Sequence, residues 1–459
     1  MQPIREGTYR GLLLDVAAVL TASLTLGRVS ELTGVPEFAA TTVGELMPTR
    51  VSDVPAGGAA APLWLNLSER LGTSVDVATL PTMTGAGLLV GMSQLSLGDL
   101  SAFVAGHPAQ IDSLLASPPA SKTVTEWWSG LGGESRTSLS TVAPRLVGNL
   151  DGVPARERGR ANLRYLGDAV SELKAGLSEA TGPERARVTR ELAVLDQVRA
   201  ALRPSEGGPR RSLLLLDTAA GGRAAIALGN PDTADYVSYL VPGMNYGVRE
   251  QLVNWAATAD DLYAEQSAVL AQRAPHGERP ASVATIAWIG YETPDLFSVG
   301  GLDRAEAGAD FLEDSWLGVR SARGAEQPYL SVFGHSYGST VSLTALARGS
   351  VGVDAFVMVG SPGSGIQSVD ELAVTDGNVF VGEADWDPAV NSAFFGSDPG
   401  AAAYGAHTLG VDGARDSVTG KWLNGSLGHN AYFTPGSESL HNMALIGTDN
   451  AKQATDGSE

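Results

Sequence analysis

Residues 329–347 read YLSVFGHSYGSTVSLTALA, and this stretch decides the fold. An apolar run typical of a buried strand ends at Phe333, and apolar residues at helical spacing follow Gly338. Between them, Gly334 and Gly338 allow a tight strand-to-helix turn that projects the hydroxyl of Ser336. The alternative is an ordinary loop serine. The strand and helix on the two sides favour a nucleophile at Ser336.

A serine nucleophile needs a base, which in such folds comes late in the chain. Three histidines follow Ser336, namely His407, His429 and His441, whereas His335 lies in the turn itself and should point away from the serine oxygen. We favour His429 because it lies in a glycine-containing loop, SLGHN, while His441 lies in a segment that resembles a helix start. A surface histidine is the alternative.

The carboxylate that orients the base is expected after the next-to-last strand of the sheet. Residues 379–390, VFVGEADWDPAV, offer Asp385 and Asp387, and either can bond a histidine Nδ1. The two aspartates could also bind a metal, but no histidine stands beside them, so we expect no metal ion. The glycine-rich residues 360–365 lack nucleotide-binding spacing, so we expect no cofactor.

The remaining site predictions concern the oxyanion hole and the acyl pocket. The N–H of Tyr337 is the first expected donor, and the N–H of Gly243 or Met244 in the loop VPGMN is the second. An ordinary strand-end turn is the alternative for that loop. Four aromatic residues are expected near the mouth of the site and predict an acyl pocket, with simple packing as the alternative: Trp386, Phe394, Phe395 and Tyr404.

The order of patterns along the chain predicts the fold class. Residues 163–177 and 188–202 have helical spacing and predict a helical hairpin. A Pro/Gly/Arg-rich linker follows at 203–212. Short aliphatic runs come next and predict these strands: 213–216, 223–228, 237–241, 283–289, 329–333, 355–359 and 379–381. The first two are expected to form an antiparallel hairpin. We therefore predict a helical domain (1–205), an α/β-hydrolase domain with a mostly parallel sheet (206–448) and a flexible tail (449–459).

Composition limits the partners. The 459 residues carry a formal net charge of -20, which disfavours nucleic acids and anionic membrane surfaces. The chain has no cysteine, which excludes disulfides, thiolate metal sites and a cysteine nucleophile. Residues 16–26 are apolar but shorter than the ~20 residues of a spanning helix, so we expect a buried helix and a cytoplasmic protein, with a secretion signal as the alternative.

Several longer strings resemble the actinobacterial α/β-hydrolases long catalogued as a domain of unknown function. In the helical part these are EWWSGL (126–131), VGNLDGVP (147–154) and RAN (160–162). In the hydrolase part they are ADYVSYLVPGM (234–244), AWIGYETP (287–294), VFGHSYGS (332–339) and HNAYFTPGSESLHN (429–442). The resemblance implies Ser336 as nucleophile and His429 as base, and its usual Asp-Pro falls on Asp387.

The resemblance also implies an activity, the hydrolysis of acyl esters. We expect Ser336 to form an acyl-enzyme with a small-molecule or lipid ester. The alternative is a noncatalytic module in which the hydrolase fold is a scaffold and the helical half docks a partner.

Overall fold

The computed structural model describes residues 78–218, 221–274 and 279–457. The apolar stretch at 16–26 lies outside the described residues. All described residues belong to one compact unit, Leu71–Glu459. None of the helices in these ranges is both long enough and apolar enough to cross a membrane.

Eight of the described helices precede the sheet: α1 (Gly85–Ser93), α2 (Leu97–Gly106), α3 (Pro108–Ala116), α4 (Ser121–Gly130), α5 (Gly133–Val142), α6 (Pro144–Asn149), α7 (Ala155–Leu177) and α8 (Gly182–Ala201). The predicted helical hairpin is α7 and α8, and each has proline at or just before its first turn, where the missing N–H costs nothing. Asn162 on α7 donates from its side chain to the carbonyls of Gly148 and Leu213, which joins the helical region to the first strand.

Within the described residues the sheet has eight strands: β1 (Arg211–Asp217), β2 (Arg223–Gly229), β3 (Tyr236–Val241), β4 (Val283–Ile289), β5 (Tyr329–His335), β6 (Ala355–Val359), β7 (Val379–Gly382) and β8 (His407–Thr408). Their order is β1-β2-β4-β3-β5-β6-β7-β8. The pairs β1–β2 and β2–β4 are antiparallel and all others are parallel. The carboxyl ends of β3 to β8 therefore lie at one edge, where a ligand site is expected.

Four more helices cover the sheet: α9 (Val248–Arg273), α10 (Asp303–Arg323), α11 (Tyr337–Arg348) and α12 (Glu438–Ile446). Because side chains alternate along a strand, each strand contributes to two cores. In β3, Leu240 packs in the core formed with α7, α8, α9 and α12, whereas Tyr239 packs in the core formed with α10 and α11. This burial on both sides explains the continuous apolar runs of the parallel strands.

The structure confirms the predicted fold class, the helical hairpin and the seven predicted strands. β8 was not predicted, because two residues are too short for any periodic pattern. The division into two domains near residue 205 stays a prediction. In the structure, that position lies between α8 and β1, inside the compact unit.

The flexible tail at 449–459 stays a prediction, and its residues 449–457 are among those that the structure describes. A short 3-10 helix, Ala451–Gln453, follows α12, and the side-chain amide of Asn442 donates to Thr455 Oγ1 at 2.8 Å. Asn442 is buried, so its polar atoms need partners, and Thr455 provides them. The polar residues of the tail satisfy a buried side chain of α12.

Candidate active site

Ser336 lies at the turn between β5 and α11. Its φ is 55° and its ψ is -132°, a conformation that is unfavourable for a residue with a side chain. The flanking glycines are required by contact: a methyl group at Gly334 would lie 2.7 Å from Ser339 Cα, and one at Gly338 would lie 2.3 Å from the carbonyl oxygen of Val241. The turn therefore holds Ser336 above the sheet at the amino end of α11, where the helix dipole favours negative charge.

His429 approaches Ser336 from the loop before α12. Its Nε2 lies 2.8 Å from Ser336 Oγ, and its Nδ1 lies 2.8 Å from Asp387 Oδ1. A carboxylate accepts a hydrogen bond, so Nδ1 carries the proton and the lone pair of Nε2 faces the serine hydroxyl. This tautomer is the one that can withdraw a proton from Ser336.

Asp387 is buried and is bonded on both carboxylate oxygens. Oδ1 also accepts the N–H of Ala389 at 2.9 Å, and Oδ2 accepts the hydroxyl of Tyr432 at 2.6 Å. Burial alone would raise the pKa of Asp387, but the hydrogen bonds from His429, Tyr432 and Ala389 together hold it below its ordinary value. Asp387 is therefore a fixed negative charge behind the imidazole.

The structure brings Asp387, and not Asp385, to His429. Asp385 is exposed, and its backbone carbonyl accepts the N–H of Gly428 at 2.8 Å. Trp386, between the two aspartates, has a φ of 63°, which turns the chain so that the next side chain is buried. Asp385 thus fixes the histidine loop through its backbone, while Asp387 contacts the imidazole.

The other two candidate histidines have separate environments. His407 lies exposed on β8, with its ring 5.2 Å from that of Phe380. His441 is buried on α12, where its Nδ1 lies 2.7 Å from Glu265 Oε1. Among the three candidate histidines, His429 is the one whose ring nitrogen contacts Ser336.

His335, the residue directly before Ser336, contacts His429. Its Nε2–H donates to the backbone carbonyl of His429 at 2.7 Å, and the two rings lie 4.8 Å apart. Burial and the neighbouring His429 lower the pKa of His335 to about 3, so the ring is neutral at ordinary pH.

The loop after β3 lies against Ser336. A methyl group at Gly243 would lie 2.6 Å from Ser336 Cβ and 3.0 Å from its Oγ, so only glycine allows this approach. Within the described residues, no acceptor is bonded to the N–H of Gly243 or of Met244. Tyr337 is the first residue of α11, so its N–H is one of the helix-start donors that have no partner within the helix. Of the three residues predicted to donate, Gly243 has a printed approach to Ser336, and the oxyanion roles of Tyr337, Gly243 and Met244 stay predictions.

The four aromatic residues predicted for the acyl pocket differ in burial. Trp386 is 87% exposed and Phe394 is 44% exposed. The ring of Phe395 lies 5.6 Å from that of Tyr337, beside the nucleophile. Tyr404 is 2% exposed and packs in the core formed with α10 and α11, so its place in a pocket is corrected to a core position.

Tyr432 is the site residue that the sequence predictions missed. It is fully buried, and its hydroxyl accepts the N–H of Ala384 at 2.9 Å while donating to Asp387. The only signal in the sequence is its position three residues after His429, in HNAY. A buried tyrosine hydroxyl needs partners, but those partners lie more than forty residues away along the chain.

The chain is similar to several known proteins. Residues 217–397 match a family model described as an alpha/beta hydrolase. An uncharacterized protein of Mycobacterium tuberculosis (strain H37Rv) is 27% identical over 400 residues, which cover 76% of this chain and 59% of that protein. An uncharacterized protein of Mycobacterium bovis is 34% identical over 176 residues, 38% of this chain and 65% of that protein.

Solved structures with a likeness to the chain include an esterase from Pyrobaculum calidifontis. It is 15% identical, with a TM-score of 0.32, and the match covers 62% of this chain and 98% of that one. A structure described as an arylesterase is 12% identical, with a TM-score of 0.32 and coverage of 62% and 97%. The chain spans about 59% of the length of the first mycobacterial relatives that it matches.

Proposed function

We propose that this chain, which carries an α/β-hydrolase fold and resembles uncharacterized actinobacterial proteins, is a serine hydrolase that cleaves carboxylic esters. The observation that carries the proposal is the continuous chain of hydrogen bonds from Ser336 Oγ through His429 to Asp387, with both contacts at 2.8 Å. A nucleophile, a base and an orienting carboxylate in this order are what acyl transfer requires.

The proposed reaction has two halves. His429 Nε2 withdraws the hydroxyl proton while Ser336 Oγ attacks the ester carbonyl carbon, and the carbonyl oxygen becomes an oxyanion. The N–H of Tyr337, together with that of Gly243 or Met244, binds this oxyanion. The intermediate collapses, the C–O bond to the alcohol breaks, and His429 returns the proton to the leaving alkoxide.

Water then hydrolyses the acyl-enzyme by the same steps in reverse order. His429 takes a proton from the water, whose oxygen attacks the acyl carbon, and the serine oxygen leaves with the proton from the histidine. Throughout, Asp387 balances the positive charge of the imidazolium. The products are an alcohol and a carboxylic acid, and no further reactant is needed.

The surface near the site supports an uncharged, apolar acyl group. Trp386 precedes Asp387 directly, and Leu427 lies two residues before His429; they are 87% and 66% exposed. Phe394 is also exposed and joins the site through Phe395, whose ring packs on Tyr337. The formal net charge of -20 disfavours anionic substrates. We therefore propose neutral esters with an aliphatic or aromatic acyl chain.

A serine-directed fluorophosphonate probe tests the proposal. The full chain should become covalently labelled, and Ser336→Ala should not. Ser342→Ala is the matched control: Ser342 is also buried on α11, but its hydroxyl donates to the carbonyl of Gly338, so this variant should be labelled like the parent. Hydrolysis of p-nitrophenyl esters of increasing chain length then measures the acyl preference. An unlabelled parent that hydrolyses no ester would refute the enzyme and favour the noncatalytic module.

A further inference from the structure

The loop that offers the second oxyanion donor is held by the segment that follows β4. The hydroxyl of Tyr291 donates to the carbonyl oxygen of Pro242 at 2.7 Å, and the N–H of Asn245 donates to the carbonyl oxygen of Pro294 at 2.9 Å. Both contacts come from residues 291–294, the YETP of the string AWIGYETP. These two hydrogen bonds hold the loop on either side of Gly243 and Met244.

Tyr291 is itself held in place. The side chain is 1% exposed, and its ring stacks between those of Trp288 and Tyr337, at centroid distances of 6.0 Å and 6.4 Å and interplanar angles of 17° and 11°. Helix α10 also packs closely against Tyr291, since a methyl group at Gly308 of this helix would lie 3.1 Å from Tyr291 Cβ. Burial raises the pKa of Tyr291 well above its ordinary value, so the hydroxyl remains a donor.

The bond to Pro242 fixes more than one atom. The carbonyl of Pro242 and the N–H of Gly243 belong to the same peptide unit, which is planar. No described peptide bond is cis, so the two groups point in opposite directions. Tyr291 therefore turns the Gly243 N–H away from itself. The N–H of Met244 belongs to the next peptide unit, which this bond does not hold.

The position of Gly243 shows what lies beside it. Its Cα approaches Ser336 so closely that an added methyl group would meet both Cβ and Oγ of the serine. Its N–H donates to no acceptor within the described residues. A free donor beside the nucleophile, in a peptide unit with a fixed orientation, has the properties that an oxyanion hole requires before substrate binds.

We propose that Tyr291 is a positioning residue of the oxyanion hole, and that through Pro242 it aims the Gly243 N–H, rather than that of Met244, at the developing charge. This inference rests on the proposed hydrolase function. The proposal also gives a role to the string AWIGYETP (287–294), which contains none of Ser336, His429 and Asp387.

The test compares Tyr291→Phe with Tyr239→Phe in the full chain. Tyr239 is a matched control: it is also 1% exposed, packs in the same core and bonds through its hydroxyl, but to Ser315 on α10. Removing a whole oxyanion donor lowers kcat by about 100-fold or more, and a loosened donor should cost less. For Tyr291→Phe we expect kcat to fall about tenfold with KM nearly unchanged.

A second measurement separates a positioning role from a structural one. A trifluoromethyl ketone forms a tetrahedral adduct with a serine nucleophile and carries the oxyanion. Its affinity should fall in Tyr291→Phe by the same factor as kcat, while Tyr239→Phe retains both values even where its thermal stability falls as much.

The outcomes distinguish the two proposals. A Tyr291→Phe variant with the kcat and ketone affinity of the parent, or an equal kcat loss in both variants, would overturn the role of Tyr291 and leave the hydrolase intact. If the parent neither reacts with the fluorophosphonate nor hydrolyses esters, the proposed function fails, and the role of Tyr291 fails with it.

Discussion

Gly360 offers a sharp test of the proposed catalytic triad of Ser336, His429 and Asp387, because it lies beside Asp387 and His429 without belonging to the triad. It follows β6 with a φ of 60°, a conformation that favours glycine. A methyl group at this position would lie 2.7 Å from Asp387 Oδ2 and 3.0 Å from His429 Nδ1. Gly360→Ala therefore adds one carbon atom beside the hydrogen bond between Asp387 and His429.

The size of the effect follows from these distances. Ordinary contacts begin at 3.4 Å, so Asp387 Oδ2 would have to retreat by 3.4 minus 2.7, or 0.7 Å. Asp387 cannot move freely because Tyr432 and Ala389 hold it by hydrogen bonds. A displacement near 1 Å in a catalytic group costs about 100-fold in rate. The left-handed backbone with an alanine costs a further ~1 kcal/mol of folding stability.

Gly349→Ala separates the two effects. Gly349 has a φ of 71° at the end of α11, and a methyl group there would meet no atom within 4 Å. Gly349→Ala should lose about 1 kcal/mol in urea unfolding, and Gly360→Ala should lose at least as much, because its methyl group also meets Asp387 and His429. Only Gly360→Ala should lose turnover of a p-nitrophenyl ester and reaction rate with the fluorophosphonate. Parent-like turnover in Gly360→Ala, or an equal loss in Gly349→Ala, would refute the reasoning.

Four further substitutions test the surroundings of His429. Asp387→Asn should lower kcat by about 10⁴, whereas Asp385→Asn should retain it; similar rates in the two variants would contradict the assignment of the acid. Tyr432→Phe should raise the pKa of Asp387 toward its ordinary value. A lowered carboxyl pKa stabilises the fold above the ordinary pKa, and this stabilisation is lost as the pH falls through the lowered value. The free energy of unfolding of Tyr432→Phe should therefore fall less than that of the parent between neutral pH and a pH of about 2. An equal fall in the two proteins would contradict the role of Tyr432. The pKa of His335 is lowered from 6.5 to about 3, so the unfolded chain binds a proton that the folded chain refuses, and stability should fall as pH drops through this window. His335→Gln retains a donor but no titration, so its urea midpoint should depend less on pH over that range, and an identical slope would exclude the effect.

The sequence predicts the fold well where a pattern repeats over several residues. The runs at β3 to β7 are apolar because they are buried on both faces, and α7 and α8 have one apolar stripe each, so period and length identify them. The turn at Ser336 is also legible, since contact requires glycine at 334 and 338. Interactions between residues that are close in the sequence determine these strands, helices and the turn, so the sequence pattern predicts them.

The sequence fails where a contact joins distant residues. Asp385 and Asp387 have the same chemistry and lie two residues apart, and the turn at Trp386, with its positive φ, decides which one is buried. The bonds of Tyr432 to Asp387 and of Tyr291 to Pro242 cross forty-five and forty-nine residues. No period or spacing encodes such pairs, because the sheet brings their loops together only after it has formed.

The charges around the imidazole explain why His335, and not a cation, lies behind it. Asp387 is held negative by three hydrogen bonds, so the site has one negative charge before the reaction. In the proposed reaction His429 becomes positive when it takes the serine proton, and a second cation nearby would oppose this protonation. His335 supports the carbonyl of His429 by a hydrogen bond, yet burial keeps it neutral. A lysine or arginine there would give the same bond but would repel the imidazolium. A neutral donor thus orients the base without opposing its protonation.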